Sequence, residues 1–276
     1  MRLGPRHSSI GTEKPDQPEG TPMLRMRQIC LVAATLEPAI EELCGVLGIE
    51  VCHRDPAVAR YGLENALMPV GNQLLEVVAP TQAGTAAGRY LDRRGGDGGY
   101  MVILQTDDLA ATRARVDGFG IRIVSEPNHG DYVGMQLHPR DTGGAILSID
   151  WNDGDQSGLD GPWGPAGPDW QRARRTDRVR AMTAAELQSD DPAKLAERWS
   201  EILDRPLAKD ALGRPSIALD DAVLRFVPVK DGRGEGLGGL DLAVTDKAAV
   251  LDAAMGLGCP IEGDQVTLCG TRFRLI

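Results

Sequence analysis

The sequence is short of the residues and patterns that mark most kinds of chemistry. Three Phe, four Tyr and four Trp in 276 residues mean an interior assembled mainly from Leu, Val, Ile and Ala. The five cysteines, at 30, 44, 52, 259 and 269, are odd in number and lack CxxC spacing. They are expected to be reduced, mostly buried small residues of a cytoplasmic protein rather than a disulfide framework or thiolate metal site. None has an identifiable histidine orienter, which argues against a thiol nucleophile. No apolar run approaches the length of a membrane span. Basic charge is also in deficit: 30 Lys and Arg against 40 Asp and Glu leave a net charge of -10, which argues against a broad nucleic-acid face. Neither a GxxxxGK[ST] loop, a GxGxxG between strand and helix, a GxSxG elbow nor an HExxH pair is present.

What remains is an ordinary globular balance, 42% hydrophobic and 25% charged, in a chain long enough for two domains with real cores. Residues 1–25 are rich in Gly, Pro and charge, without the apolar stretch of a signal peptide. They are expected to be a disordered tail, or an over-extended start lying ahead of Met23 or Met26. Residues 152–175 change character again. Gly, Pro and Asp dominate this interdomain linker, and its Trp163 and Trp170 are expected to pin it to a groove, for packing or for stacking on a ligand.

Between these segments one pattern recurs. Gln28 to Ala34 suits a strand. A helix follows with Ile40, Leu43, Cys44 and Leu47 on one face and an exit at Gly48. Strands are then expected over Tyr61 to Pro69 and Gln73 to Val78, with a turn at Gly71 and Asn72. Tyr100 to Gln105, a helix from Leu109, and strands to Ile149 repeat the order. The helix stops at Gly48 and Gly120 fall in equivalent places, which indicates duplication. The second half repeats it less clearly: a strand from Val179, a helix started by Asp191 and Pro192, strands near Ser216 and Val223, a glycine-rich loop from Asp231 to Gly239, and a final module to Ile276.

Three stretches carry a family resemblance: Arg27 to Ala33 (RQICLVA) with its helix, Pro69 to Pro80 (PVGNQLLEVVAP), and His138 to Ser148 (HPRDTGGAILS). The chain resembles the vicinal oxygen chelate superfamily, which groups glyoxalase-like, bleomycin-resistance-like and dioxygenase-like proteins. The first half is most similar to methylmalonyl-CoA epimerase-like domains. The resemblance implies an α+β fold of tandem glyoxalase-like domains, residues 26–151 and 176–276, the second degenerate. Each would pair two βαβββ modules into a curled mixed sheet around a cleft.

The same resemblance implies where a divalent ion would sit. The matching positions are Gln28, Glu76, Met101 and Ser148. Of these only Glu76 is a strong ligand, with Gln28 able to add an amide oxygen, so no metal and no other cofactor is expected; if an ion is held, Glu76 and Gln28 hold it. In the second half the corresponding positions are Arg178, Arg225, Gly239 and Arg274. Three arginines around one face either grip a carboxylate or phosphate or point outward and pair with acidic neighbours.

The first-domain wall is assigned to Gln28, Glu76, Tyr100, Met101, His138, Arg140 and Ser148. Glu76 and His138 are the candidate catalytic groups, since burial raises a carboxylate's pKa and histidine titrates near neutrality. Glu76 also admits the plainer role of a buried carboxylate bonded to Gln28. The expectation is a protein that binds a small polar or amphipathic molecule in the first cup. The alternatives are a metal-dependent lyase, isomerase or dioxygenase, and a structural or dimerisation module. The partners expected are a small molecule and a second copy in a homodimer, with no nucleic acid and no membrane.

Overall fold

The computed structural model describes residues 20–154 and 158–276. The expected tail therefore lies outside the described residues up to residue 19. The first strand starts at Leu24, inside the segment read as tail, and both Leu24 and Arg25 are buried in it.

The first half runs β1 (Leu24–Val32), α1 (Leu36–Leu47), β2 (Leu63–Val70), β3 (Gln73–Pro80), α2 (Ala86–Arg94), β4 (Gly98–Thr106), α3 (Leu109–Gly118), β5 (Ile123–Ser125), β6 (Tyr132–Val133), β7 (Gln136–Leu137), α4 (Pro139–Thr142) and β8 (Ile146–Asn152). The second runs β9 (Val179–Ser189), α5 (Pro192–Leu203), β10 (Leu207–Lys209), β11 (Pro215–Ala218), β12 (Val223–Pro228), β13 (Gly236–Val244), α6 (Lys247–Gly256), β14 (Ile261–Glu262), β15 (Gln265–Leu268) and β16 (Thr271–Leu275).

Helix ends follow local chemistry. At α5, the Asp191 carboxylate accepts from the Lys194 N–H at 3.1 Å and Pro192 fills the first turn, which satisfies one free donor and forgoes one that would have no partner. Helix α1 stops where Gly48 turns left-handed at φ 67°. Helix α2, absent from the sequence expectation, is capped by Thr85, whose hydroxyl accepts from Gly88 N–H at 2.9 Å.

The two sheets share one strand plan. The first is ordered β2-β3-β1-β4-β8-β7-β5, with β6 on β8, and the second β10-β11-β12-β9-β13-β16-β15-β14. In both, the first strands of the two modules meet antiparallel at the centre, and each also pairs parallel with the last strand of its own module. A curled sheet wrapped around a cleft is not what forms. Each strand path is open, ending at β2 and β5 in the first sheet and at β10 and β14 in the second. Closing a sheet needs its edges to meet or bulges to bend it round. No pairing among the described residues joins these edges, and in the first half the inner face is filled by side chains.

One apolar cluster, including Leu43, Leu47, Val102, Leu147, Trp199, Phe226 and Phe273, runs through both halves. The halves are also joined by polar bonds. Gln73 completes a strand-like pair with Met182, its Nε2 donating to the carbonyl at 2.8 Å and its Oε1 accepting from the N–H at 2.7 Å. At neighbouring Gly71 a Cβ would lie 2.0 Å from the Arg180 carbonyl oxygen, so only glycine permits this approach. The expected glycine-rich loop ends early, because Gly236–Val244 is strand. Gly238 lies in β13, where a Cβ would meet the side-chain ends of Arg272 and Gln188 at 2.5 and 2.7 Å, so this glycine leaves room for those two side chains over the strand.

Candidate functional site

Alternation along β1, β3, β4 and β8 puts one side chain in two onto the inner face of the first sheet. Glu76 stands there opposite Cys30, buried. Its Oε2 accepts from Gln28 Nε2 at 2.8 Å and its Oε1 from Asn65 Nδ2 at 2.6 Å. Burial without a cation pushes its pKa up, although the bonds from Asn65, Cys30 and Gln28 oppose the shift. The Cys30 thiol is driven well up by burial and by the adjacent Glu76.

The linker closes over this face. Trp163 is 1% exposed, and its indole Nε1 donates to Gln28 Oε1 at 2.7 Å. Tyr132 meets the indole edge-on at 5.5 Å between centroids. Arg27 lies within 5.5 Å of the Trp163 ring and 5.0 Å of the Trp170 ring, a cation–π clamp, and donates to the carbonyls of Asn72, Leu159 and Gly161. Burial lowers its pKa to about 9. The tryptophans therefore pack, and the space over Glu76 is taken by the chain itself.

The other expected residues are scattered. Met101 and Ser148 do lie on the buried inner strands, but Ser148 Oγ is bonded to Asp150 Oδ1 at 2.5 Å. Tyr100 packs edge-on against Tyr90 of α2 at 5.0 Å. His138 caps the short α4, its Nδ1 accepting from Arg140 N–H at 3.1 Å, and Arg140 is exposed. Among the described residues no bond joins His138 or Arg140 to Glu76, Gln28 or Ser148.

Asn65, Tyr132 and Asp150 were missed by sequence reasoning. Asp150 is buried and accepts from Ser148, from Tyr132 Oη at 2.5 Å and from Met135 N–H at 3.2 Å. Burial lifts it to about 6 against those bonds. The strict alternation Ser148, Asp150, Asn152 along β8 was the signal available.

The family's divalent ion does not fit these donors. Both Glu76 oxygens accept from amides, the Gln28 oxygen accepts from Trp163, Met101 offers a thioether, and the Ser148 hydroxyl is held by Asp150. A hard cation wants several unengaged oxygens. Among the described residues no group of three or more His, Cys, Asp or Glu is placed to hold one.

The same positions in the second half are charged. Arg225 faces Glu186 across β12 and β9, as Glu76 faces Cys30, and Arg274 faces Asp241 across β16 and β13, as Ser148 faces Ile103. The Arg225 guanidinium forks onto Asp241, both bonds 2.8 Å, and its Nε donates to Glu186 at 3.2 Å. Arg274 adds a second fork to Asp241. Lys230 and Arg272 donate to Glu186 Oε1 at 2.9 and 3.1 Å. Burial works to raise both carboxylates, but these bonds and charges hold Glu186 and Asp241 below the ordinary range. Arg178 does not join them. It lies before β9, and its Nη1 donates to the Gly45 and Val46 carbonyls at the end of α1, at 2.6 and 3.1 Å. The position matching Gln28 is instead Ala184, which faces Asp241 as Gln28 faces Ile103. Glu186, Asp241, Lys230 and Arg272 were also missed, although Arg272 and Arg274 two apart on one strand place themselves on one face.

A shallow cleft of about 70 Å³ opens over this network, lined by Glu186, Asp241, Arg214, Arg225, Lys230, Gly239, Leu240, Gln265, Arg272 and Arg274.

A family model described as glyoxalase-like domain matches residues 29–203. The chain belongs to that family. This glyoxalase-like chain shares its fold with a hypothetical protein from Staphylococcus aureus, TM-score 0.62 and 12% identity over 92% of this chain and 99% of that one. It also resembles a mutant of 4-hydroxymandelate synthase from Streptomyces coelicolor, TM-score 0.65 and 16% identity over 87% and 76%. Methylmalonyl-CoA epimerase from Streptomyces coelicolor is 22% identical, with a TM-score of 0.43 over 49% of this chain and 100% of that one. The first two likenesses, at identities this low, show fold alone. No curated protein matches. No helix among the described residues is long and apolar enough to cross a membrane.

Proposed function

We propose that this glyoxalase-like protein binds a small molecule, without a family-type metal, on the second sheet rather than the first. The observation that carries the reading is the contrast in cover. The first inner face is sealed by Trp163, held by Gln28 and Arg27, whereas the same face of the second sheet opens as a cleft. A polar or amphipathic ligand in the first half would have to displace an indole bonded on its polar edge and buried on its faces. A lyase, isomerase or dioxygenase built on Glu76 and an ion is not favoured, since both Glu76 oxygens are engaged by amides. Concave sites with a few converging polar groups are the usual small-molecule sites, and fold alone does not name the ligand.

The test is a thermal-shift screen of neutral, cationic and anionic small compounds in chelator, followed by a crystal structure of the protein with any hit. The expected location is over β9, β12, β13 and β16. A hit lodged beneath Trp163, or stabilisation that requires an added divalent ion, overturns the reading.

A further inference from the structure

Resting on that reading, we infer that the second-half cleft takes a compact oxyanion, a phosphate-type group or a small dicarboxylate. Charge comes first. Five cations line the cleft, Arg214, Arg225, Lys230, Arg272 and Arg274, against two carboxylates, Glu186 and Asp241. Asp210 and Asp231 pair with Arg214 and Arg272 from outside the lining, and even with these counted the cluster keeps one positive charge in excess. The local field is thus opposite in sign to the net charge of the chain.

Donor supply points the same way. Arg225 spends all three of its nitrogens on Glu186 and Asp241 and forms a closed floor. The cations around it do not. Arg272 Nε is buried with no hydrogen-bond partner. Among the described residues Arg274 Nη1 makes no hydrogen bond, and Lys230 Nζ makes a single one, to Glu186. The side chains of Lys230 and Arg274 are 45% and 43% exposed. These exposed N–H groups are available to a ligand that only accepts and carries negative charge, with which they would form charge-assisted bonds. A cavity holds one water once on the order of 10–15 Å³ is accessible, so about 70 Å³ suits a tetrahedral oxyanion or a paired carboxylate head.

The experiment is titration calorimetry at fixed ionic strength with inorganic phosphate, sulfate and malonate, on wild type, Arg274→Ala, Lys230→Ala and Arg172→Ala. Arg172 is 83% exposed, lies in the linker away from the cleft lining, and serves as the control. Saturable binding of at least one anion, weakened about tenfold or more by Arg274→Ala or Lys230→Ala and unchanged by Arg172→Ala, is the expected result. Preference for phosphate or sulfate assigns the tetrahedral group, and preference for malonate the dicarboxylate. No saturable binding of any of the three, or binding indifferent to both cleft variants, overturns the inference. Neutral or cationic compounds are titrated alongside. If only these bind, and binding falls in Arg274→Ala, the oxyanion inference fails while the second-sheet site survives; if nothing binds, both fail.

Discussion

The inner face of the first sheet and that of the second start from the same strand order and the same register, and they solve the problem of buried carboxyls in opposite ways. On the first, Glu76 and Asp150 have amides, hydroxyls and an N–H for partners and no cation, so burial dominates and both are shifted up. On the second, arginine at the place of Glu76 brings the cation into the face, and Glu186 and Asp241 stay charged. The first face then tolerates an apolar cover, and the linker's indole supplies it. The second keeps solvent-facing cations, so its cleft remains open. Several register positions together separate a filled core from a polar site: arginine stands for Glu76 and for Ser148, Glu186 for Cys30 and Asp241 for Ile103.

The largest break in this comparison is expected from Trp163→Ala. It removes a fully buried indole and strands the Gln28 oxygen, and should lower unfolding free energy by about 3–5 kcal/mol, read from denaturant midpoints. Trp163→Phe, which keeps most of the volume but not the N–H, should cost about 1–3 kcal/mol. Equal costs for the two would mean that the indole bond to Gln28, rather than filling, holds the cover in place.

Arg225→Ala is next. Breaking a buried ion pair from one side costs ~3–5 kcal/mol, but Lys230, Arg272 and Arg274 stay on the two carboxylates, so a loss of about 2–4 kcal/mol is expected. A loss under ~1 kcal/mol in urea melts would show that the floor is not held by Arg225.

The two faces should also answer pH in opposite directions. Asp150 has its folded pKa at about 6, above the ordinary value, so between about pH 4 and pH 6 the folded chain keeps a proton that the unfolded chain has released. Stability from this group is present at low pH and falls as pH rises through that window, by roughly 3 kcal/mol at most. Glu186 and Asp241 are shifted down, so their contribution is present above the ordinary carboxylate range and is lost as pH drops below it. Asp150→Asn should therefore gain about 1–2 kcal/mol at pH 7 and nothing at pH 4, provided that the Tyr132 and Ser148 hydroxyls turn to meet the amide. Amide exchange on acidification should quicken in β9, β12 and β13 before β1, β3 and β4. A uniform response across both sheets would refute the contrast.

Much of this contrast can be traced to particular residues in the sequence. Gly48 and Gly120, Asp191 with Pro192, and the repeated strand-helix order are local signals, because caps and periodicity act over a few residues. The Glu76 to Gln28 bond was also within reach, since the resemblance put both at ligand positions of one site. Trp163 over Gln28 was not, because 135 residues separate them and linker composition says that it is loop but not where it lies. Arg178 went astray for a related reason: the weak match in the second half carried the register back to a position ahead of β9, and only pairing between strands reveals that Ala184 belongs there. Asp150, Asp241 and Glu186 drew no notice in the sequence, and only the sheet shows that they are buried.

The smallest stability effect and the sharpest functional one should come from the same change, Arg274→Ala. Its side chain is 43% exposed, and Asp241 keeps the buried fork from Arg225 after it is gone. Exposed ion pairs contribute about 0–1 kcal/mol, so the melting curve should barely move. The cleft, however, loses the cation whose Nη1 is unused among the described residues, and with it the positive excess. Arg225→Ala removes the same charge but from the buried floor, so it should cost stability while leaving the outer donors in place. If Arg274→Ala instead destabilises as much as Arg225→Ala, the arginines act as one structural salt network, and the open face of the second sheet is a second way of closing a core rather than a site.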